Sequence, residues 1–370
     1  MNERTEPYRI ILSGGGTGGH IYPAIAVANE LRAQFPNVEL LFVGALGKME
    51  MQKVPDAGYK IEGLPISGIQ RSLSLRNLSF PFKLMNSMIK ARRIINSFKP
   101  HVVVGFGGYA SGPILRAAGT RGTPSVLQEQ NSYAGLTNKL LGQRAEKVCV
   151  AYEGMDKYFD AEKIVLTGNP VRSDIQDVEM LRNEALKYFD LRNDKPVLLV
   201  MGGSLGARSI NNAMLSNIGK LDQAGIQVIW QTGKFYFEEM KSKVAEIDLK
   251  HLKLTEFLTE MKLAYAAADV VMARAGALTI SELCLAKKAT VLIPSPNVAE
   301  DHQTKNAKAL ADRNAAILLP DAQAEKELAN TAIELINNQD RLEDLKKNIG
   351  QMARPNAAKD IVKEIMNVIS

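Results

Sequence analysis

Short β-branched runs recur along this chain, and several stop abruptly at glycine. Between them lie longer stretches in which apolar residues return every three or four positions. A run of four to six apolar residues bounded by turn formers predicts a buried strand, and the longer period predicts a helix with one buried face. In the first half the pattern predicts strands at 8–13, 38–43, 101–104, 124–127 and 147–151, with helices at 21–35 and 82–98. In the second half it predicts strands at 197–201, 226–231, 252–255, 270–273, 289–293 and 316–319. Helices follow at 322–337 and 339–352, Pro355 interrupts, and a last amphipathic helix covers 357–369. Alternating strands and helices predict parallel sheets with right-handed crossovers. The rhythm breaks once, at T-G-N-P-V-R over 167–172, where Gly and Pro suit an inter-domain joint. A chain of 370 residues exceeds one ordinary core. The expected class is therefore α/β with two Rossmann-like domains, 1–167 and 168–355, the helix at 356–370 packing back on the first.

Three of the strands run into glycine-rich turns that lead into helix-compatible segments. They are V-L-L-V-M-G-G-S-L-G-A-R at 197–208, R-I-I-L-S-G-G-G-T-G-G-H at 9–20 and V-V-V-G-F-G-G-Y-A-S-G-P at 102–113. A helix start presents unpaired N–H groups and the positive end of the helix dipole, which favour a phosphate. Glycines let the backbone approach that anion closely. Three such turns, spread over both halves, predict two phosphate-handling domains facing each other across a cleft.

Composition narrows the setting. The hydrophobic fraction is 46%, enough to bury two cores. The two cysteines, Cys149 and Cys284, lie in apolar surroundings and read as buried thiols of a reducing compartment. The first seven residues are polar and the next apolar run is short, so no signal peptide is expected. No apolar run reaches the ~18 residues that a membrane span needs. The net charge of +6 is uneven: the window 64–99 holds seven basic residues and no acid. That local excess favours a docking surface, with no nucleic acid expected as partner. Within it, Leu75, Leu78, Phe80, Phe82 and Met85 interleave with Lys83, Arg92 and Arg93. The set is either a core-facing helix with a solvated basic side or an attachment to an anionic bilayer.

Candidate chemistry sits beside the glycines. Gly14, Gly16 and Gly19 satisfy G-x-G-x-x-G, but a dinucleotide site also wants an acid at the end of the second strand, and 42–46 (F-V-G-A-L) has none. The Walker motif is absent, and neither an Asp-x-Asp pair nor a His/Cys ligand set appears, so no metal or other cofactor is expected. His20, at the mouth of its loop, could take a proton from a hydroxyl nucleophile or simply cap the turn. The polar run Gln128-Glu129-Gln130-Asn131 at a strand end suits a multiply hydroxylated ligand, or ordinary capping by Asn131. Arg172 suits a diphosphate or a surface ion pair. Glu282, about a turn into the helix after R-A-G at 274–276, could accept from both hydroxyls of a ribose or lie idle on a helix surface. Gln303 could reach a sugar.

Taken in order, G-G-T-G-G-H, G-G-Y-x-S-G-P, E-Q-N-x-x-A-G-L-T-N-K, G-N-P-V-R, G-G-S-x-G-A, T-E-F, R-x-G-A-L-T-x-S-E and D-H-Q-x-x-N-A resemble the MurG family across essentially the whole chain. These are the undecaprenyldiphospho-muramoylpentapeptide β-N-acetylglucosaminyltransferases of bacterial cell-wall synthesis. The resemblance implies a GT-B type fold, UDP-N-acetylglucosamine as donor and lipid I as acceptor. It also implies a peripheral place on the cytoplasmic face of the inner membrane. It places the donor on Arg172, Ser204, the Leu258 backbone, the helix start at Ala277, Leu278, Thr279, Ile280, Ser281 and Glu282, and Gln303. Thr17, Gly18, Gly19 and Asn131 would close over the donor sugar. The two N-terminal loops, through Gly15, Gly16, Gly107, Gly108, Tyr109 and Ser111, would take the acceptor diphosphate. Leu205 and His302 stand where some members have Gln, which leaves both without an assigned contact. A UDP-sugar epimerase and a non-catalytic nucleotide-binding adaptor are the rival readings.

Overall fold

The computed structural model describes residues 6–66 and 80–369. The chain divides into two compact units, Met1–Val171 with Asn356–Ser370, and Arg172–Pro355. The break falls just after Gly168-Asn169-Pro170, four residues past the expected boundary.

The first unit is built on a seven-stranded parallel sheet. Its strands are β1 (Arg9–Ser13), β2 (Glu39–Ala45), β3 (Ile61–Leu64), β4 (Val102–Gly105), β5 (Ser125–Glu129), β6 (Lys147–Val150) and β7 (Ile164–Leu166), in the order β3-β2-β1-β4-β5-β6-β7. Both faces are covered, as an all-parallel sheet requires. Ile10 and Leu12 point into one apolar cluster with Val102, Val104 and the helix Gly18–Gln34, while Ile11 enters the other with Val103 and Ile114. The last helix, Ala357–Ile369, completes the first cluster through Ile361, Val362 and Ile365.

The second unit repeats the plan with six parallel strands. They are β8 (Val197–Met201), β9 (Gln227–Gln231), β10 (Leu252–Thr255), β11 (Val270–Ala273), β12 (Ala289–Leu292) and β13 (Ile317–Leu318), in the order β10-β9-β8-β11-β12-β13. Trp230, fully buried, anchors the core with Leu198, Val200 and Met272.

The order of the strands places the loops. In each sheet the chain first builds outward on one side and then crosses to the other. The adjacent strands at that crossover are β1 and β4 in the first unit and β8 and β11 in the second, in register at Ser13–Gly105 and Met201–Ala273. Loops leaving such a pair diverge and open a crevice at their carboxyl ends. All three glycine turns, and the start of the helix that carries Glu282, stand at these two points.

The sequence pattern missed β3, β7 and the helix Glu50–Asp56. All are short, β3 contains Gly63 and the helix contains Pro55, so none has a readable period. The two cysteines are buried and unpaired, and burial pushes each thiol up to about 12. None of the described helices is long and apolar enough to cross a membrane.

Candidate active site

In the first unit the loops after β1 and β4 press together. Gly107 and Gly108 have φ of +91° and +87°, and a Cβ on Gly108 would overlap the Gly15 carbonyl oxygen. Ser111, fully buried, turns its hydroxyl to Ser13 O and Gly107 O, each at 2.9 Å, and so ties the two loops. Its side chain works inside the protein, not toward a diphosphate. Tyr109 stands half exposed beside it.

His20 is in the first turn of the helix Gly18–Gln34. Its Nδ1 lies 2.8 Å from Gly15 O. A carbonyl only accepts, so Nδ1 carries the proton and Nε2 of the neutral ring is the free base. Nε2 looks toward Gly107, where an added Cβ would lie 3.1 Å away. Glycine at 107 therefore keeps the basic nitrogen uncrowded. Thr17, Gly18 and Gly19 form the adjoining helix start, with Thr17 exposed.

Beneath the first loop lies an acid that the sequence reading missed. Glu50 is fully buried and accepts from Gly16 N and Ala45 N, both at 3.0 Å. It enters because Gly15 and Gly44 have no side chain: a Cβ on either would overlap it. Gly15 is buried and the Gly16 N–H is taken, so this part of the loop is not an open anion cradle, contrary to the sequence expectation. A carboxylate at that place would also repel a phosphate. The signal was present: Glu50 follows the second strand by five residues, just beyond the acid-free stretch 42–46.

The polar run after β5 is mostly internal framework. Gln128 donates to Asn169 Oδ1 at 2.8 Å, and Gln130 donates to Phe106 O at 2.9 Å. Glu129 accepts from Asn131 N, Gly135 N and Asn138 Nδ2 at 3.1, 3.0 and 2.9 Å. Only Asn131 of the four is partly open to solvent.

In the second unit the turn 202–207 is shaped by close backbone approach. Gly206, at φ +83°, would drive a Cβ into Thr232 O. Gly206 N donates to Gly203 O at 2.9 Å and Gln231 Nε2 to the same carbonyl at 3.0 Å. Ser204 and Leu205 are exposed, and their N–H groups meet no acceptor among the described residues. The turn leads into the helix Arg208–Gln223, so this loop keeps the open donors and the dipole that an anion needs.

The neighbouring helix, Ala277–Leu285, starts straight after β11. Ala277 and Ile280 are buried, while Leu278, Thr279, Ser281 and Glu282 are partly exposed. Glu282 accepts from Tyr265 OH at 3.0 Å and pairs with Arg172 Nε at 3.3 Å. Burial pushes its carboxyl above the ordinary range and Arg172 pulls it back. The Glu282 pair is thus the ion-pair alternative for Arg172. Arg274 is a brace that sequence reasoning left unassigned: it donates to Ile293 O at 3.1 Å, Asp321 Oδ1 at 2.5 Å and Ser209 Oγ at 2.7 Å. Gln303 Oε1 accepts from Ser295 N at 2.9 Å, which leaves its amide nitrogen as the remaining polar atom. Leu258 is buried behind the exposed Phe257.

Residues 10–150 match the glycosyltransferase family 28 N-terminal domain, and residues 197–365 match the C-terminal domain of the same family. The chain belongs to glycosyltransferase family 28. Among curated relatives, a UDP-N-acetylglucosamine--N-acetylmuramyl-(pentapeptide) pyrophosphoryl-undecaprenol N-acetylglucosamine transferase of Cytophaga hutchinsonii is 54% identical, covering 99% of this chain and 98% of its own. The protein of the same name from Flavobacterium psychrophilum is 52% identical, with 98% of each chain covered. The crystal structure of Acinetobacter baumannii MurG superposes with a TM-score of 0.80 at 30% identity, covering 98% of this chain and all of that one. The two parallel α/β units expected from the pattern are those of a GT-B glycosyltransferase.

On the helix Phe80–Phe98 the residues facing the core are Ser87, Ala91, Ile94 and Ile95. Phe82, Met85 and Ile89 recur at helical spacing on another side, and Phe82 is 72% exposed. Arg92 and Arg93, also exposed, continue that side; Phe80 and Lys83 are half-buried. Leu75 and Leu78 lie outside the described residues. The helix therefore has a core face and a second, solvated apolar stripe.

Proposed function

We propose that this protein is an inverting hexosyltransferase of peptidoglycan synthesis. It moves N-acetylglucosamine from UDP-N-acetylglucosamine to the 4-hydroxyl of the muramoyl-pentapeptide of lipid I, releasing lipid II and UDP. The observation that carries this reading is identity above half, end to end, with a relative named for that transfer. An α-linked donor and a β-linked product call for one in-line displacement. The reacting sugar becomes oxocarbenium-like while the UDP leaving group gains negative charge.

In the C-terminal unit, the open amides at Ser204 and the dipole of the helix behind them stabilise the leaving diphosphate. Arg172 turns from Glu282 to the diphosphate, which frees one Glu282 oxygen for the ribose. The Leu258 backbone meets the uracil, the start of the helix Ala277–Leu285 lines the nucleotide, and Gln303 reaches the sugar. In the N-terminal unit, Nε2 of His20 takes the proton from the attacking hydroxyl as general base. The imidazolium that forms keeps its Nδ1–H on Gly15 O. Thr17, Gly18, Gly19 and Asn131 serve the donor sugar. The loop after β4, with Gly107, Gly108 and Tyr109, serves the acceptor diphosphate.

Labelled UDP-N-acetylglucosamine, incubated with and without lipid I, tests the reaction. Label should enter lipid only when lipid I is present. Epimerised nucleotide sugar without lipid I, or no UDP release with it, would overturn the reading.

We also infer that the stripe Phe82, Met85 and Ile89, with Phe80, Lys83, Arg92 and Arg93, seats the protein peripherally on an anionic bilayer at the cytoplasmic face. Large exposed apolar side chains beside cations suit shallow insertion plus attraction to anionic lipid. Flotation with anionic vesicles should be lost in Phe82→Asp combined with Arg92→Glu and Arg93→Glu. Retained binding would remove the stripe from that role.

A further inference from the structure

Glu50 has no place in the mechanism above, yet the protein goes to some length to bury it. Its carboxylate sits under the loop between β1 and the helix of His20, with no exposed surface. Two glycines, Gly15 and Gly44, make room for it. Its two oxygens take one backbone N–H each, Gly16 N from the loop and Ala45 N from the end of β2. The loop is thereby fastened to the neighbouring strand at the very peptide unit that carries the Gly15 carbonyl. That carbonyl holds His20 Nδ1 at 2.8 Å.

We propose that Glu50 is the positioning residue for His20. It fixes the Gly15 carbonyl, and the carbonyl in turn holds the ring orientation and the Nδ1–H tautomer that leaves Nε2 basic. This rests on His20 as the base, and the tests below separate the two ideas. Two acceptor oxygens are what the site demands. A glutamine of the same shape has one acceptor oxygen and sets its NH2 against a backbone N–H, donor to donor. One of the two fastenings must open, and the Gly15 carbonyl is released. Gly16, at φ +85°, has no side chain of its own to hold the loop.

The experiment compares wild type, Glu50→Gln, His20→Ala and the double variant, with lipid I and UDP-N-acetylglucosamine as substrates. A displacement of about 1 Å at a reacting group costs roughly a hundredfold in rate, so Glu50→Gln should lower kcat by at least about tenfold. UDP affinity should stay within about twofold, because the nucleotide belongs to the other unit. In the His20→Ala background the same substitution should cause no further loss, since residues acting through one group are not additive. Nitrogen-15 NMR of the His20 ring reads the arrangement without turnover: the wild type shows the Nδ1–H form, and Glu50→Gln shows a mixture of tautomers.

Independent, additive losses in the double variant would overturn the proposal, as would an Nε2–H ring in the wild type. An Nε2–H ring in the wild type overturns the proposal even if Glu50→Gln does not fold. If His20→Ala alone keeps full turnover, the base is elsewhere and the mechanistic reading fails. The tautomer change in Glu50→Gln would then still show whether Glu50 orients the ring.

Discussion

The glycine turns after β1 and after β8 look alike in sequence and stand at matching points of two similar sheets. They are built for different work. After β8, Ser204 and Leu205 leave their N–H groups without an acceptor among the described residues, at a helix start. After β1, the Gly16 N–H is closed by a buried carboxylate, and the Gly15 carbonyl is aimed at an imidazole. One turn leaves its donors open; the other has its donor closed by an acid and its carbonyl on an imidazole. Glycine is needed in both, in the first because Thr232 O passes close to Gly206, in the second because Glu50 lies against Gly15. A glycine-rich turn therefore announces close approach and does not say of what.

Substitutions can break this contrast at either side. The largest effect belongs to His20→Ala, which should lower the transfer rate by about 10²–10⁴ while calorimetry finds UDP affinity nearly unchanged. Unaltered turnover would move the base to another group. Gly206→Val comes next. Its backbone would be held at φ +83° and its Cβ would strike Thr232 O, and strain of about 1–3 kcal/mol on the bound conformation predicts a roughly ten- to hundredfold weaker UDP complex. The His20 ring spectrum should not change, since that ring belongs to the other loop. If it does change, the two turns are not independent.

Arg172→Ala probes the nucleotide side more gently. Burial already raises the Glu282 carboxyl, and Arg172 opposes that rise. Without the guanidinium, Glu282 protonates at a higher pH and loses acceptor capacity for the ribose. UDP affinity should fall roughly tenfold, and on acidification it should decline at a higher pH than in the wild type. A pH profile parallel to the wild type would separate Arg172 from Glu282.

The smallest effect concerns stability alone. Lys288 is buried against Ala268 O, and burial lowers its ammonium from 10.5 to about 8. Between those values the unfolded chain holds the proton that the folded chain has released, so stability gains with rising pH across that window. Below it the penalty of the buried charge is complete. Lys288→Met should remove this rise. Its melting temperature relative to wild type should be highest near neutrality, by about 1 kcal/mol of stability, and the advantage should shrink toward pH 10.5. Parallel melting curves across that range would refute it.

Much of the fold was readable because both sheets are buried on both faces. β8, β10 and β11 have the bounds that the apolar runs suggest, since every residue of β8 and β11 is closed to solvent. The parts that escaped are short or lie at edges, where neither period nor burial leaves a mark: β3, β7 and the helix Glu50–Asp56. The candidate residues were read from residue types near strand ends; His20 and Ser204 do follow β1 and β8, and Glu282 lies in the helix after β11. What the sequence hid was the direction in which polar groups face. Ser111, Gln128 and Gln130 read like ligand contacts and are spent on the protein's own carbonyls and amides. Glu50 read like nothing, because its partners are backbone N–H groups of residues 34 and 5 positions away.

Hydrogen–deuterium exchange with and without UDP tests the contrast between the two turns most directly. UDP should slow exchange over 202–207 and at the start of the helix Ala277–Leu285, and leave 14–20 as it was. Protection centred on 14–20, with 202–207 unaffected, would contradict the assignment of the anion to one turn and the base to the other.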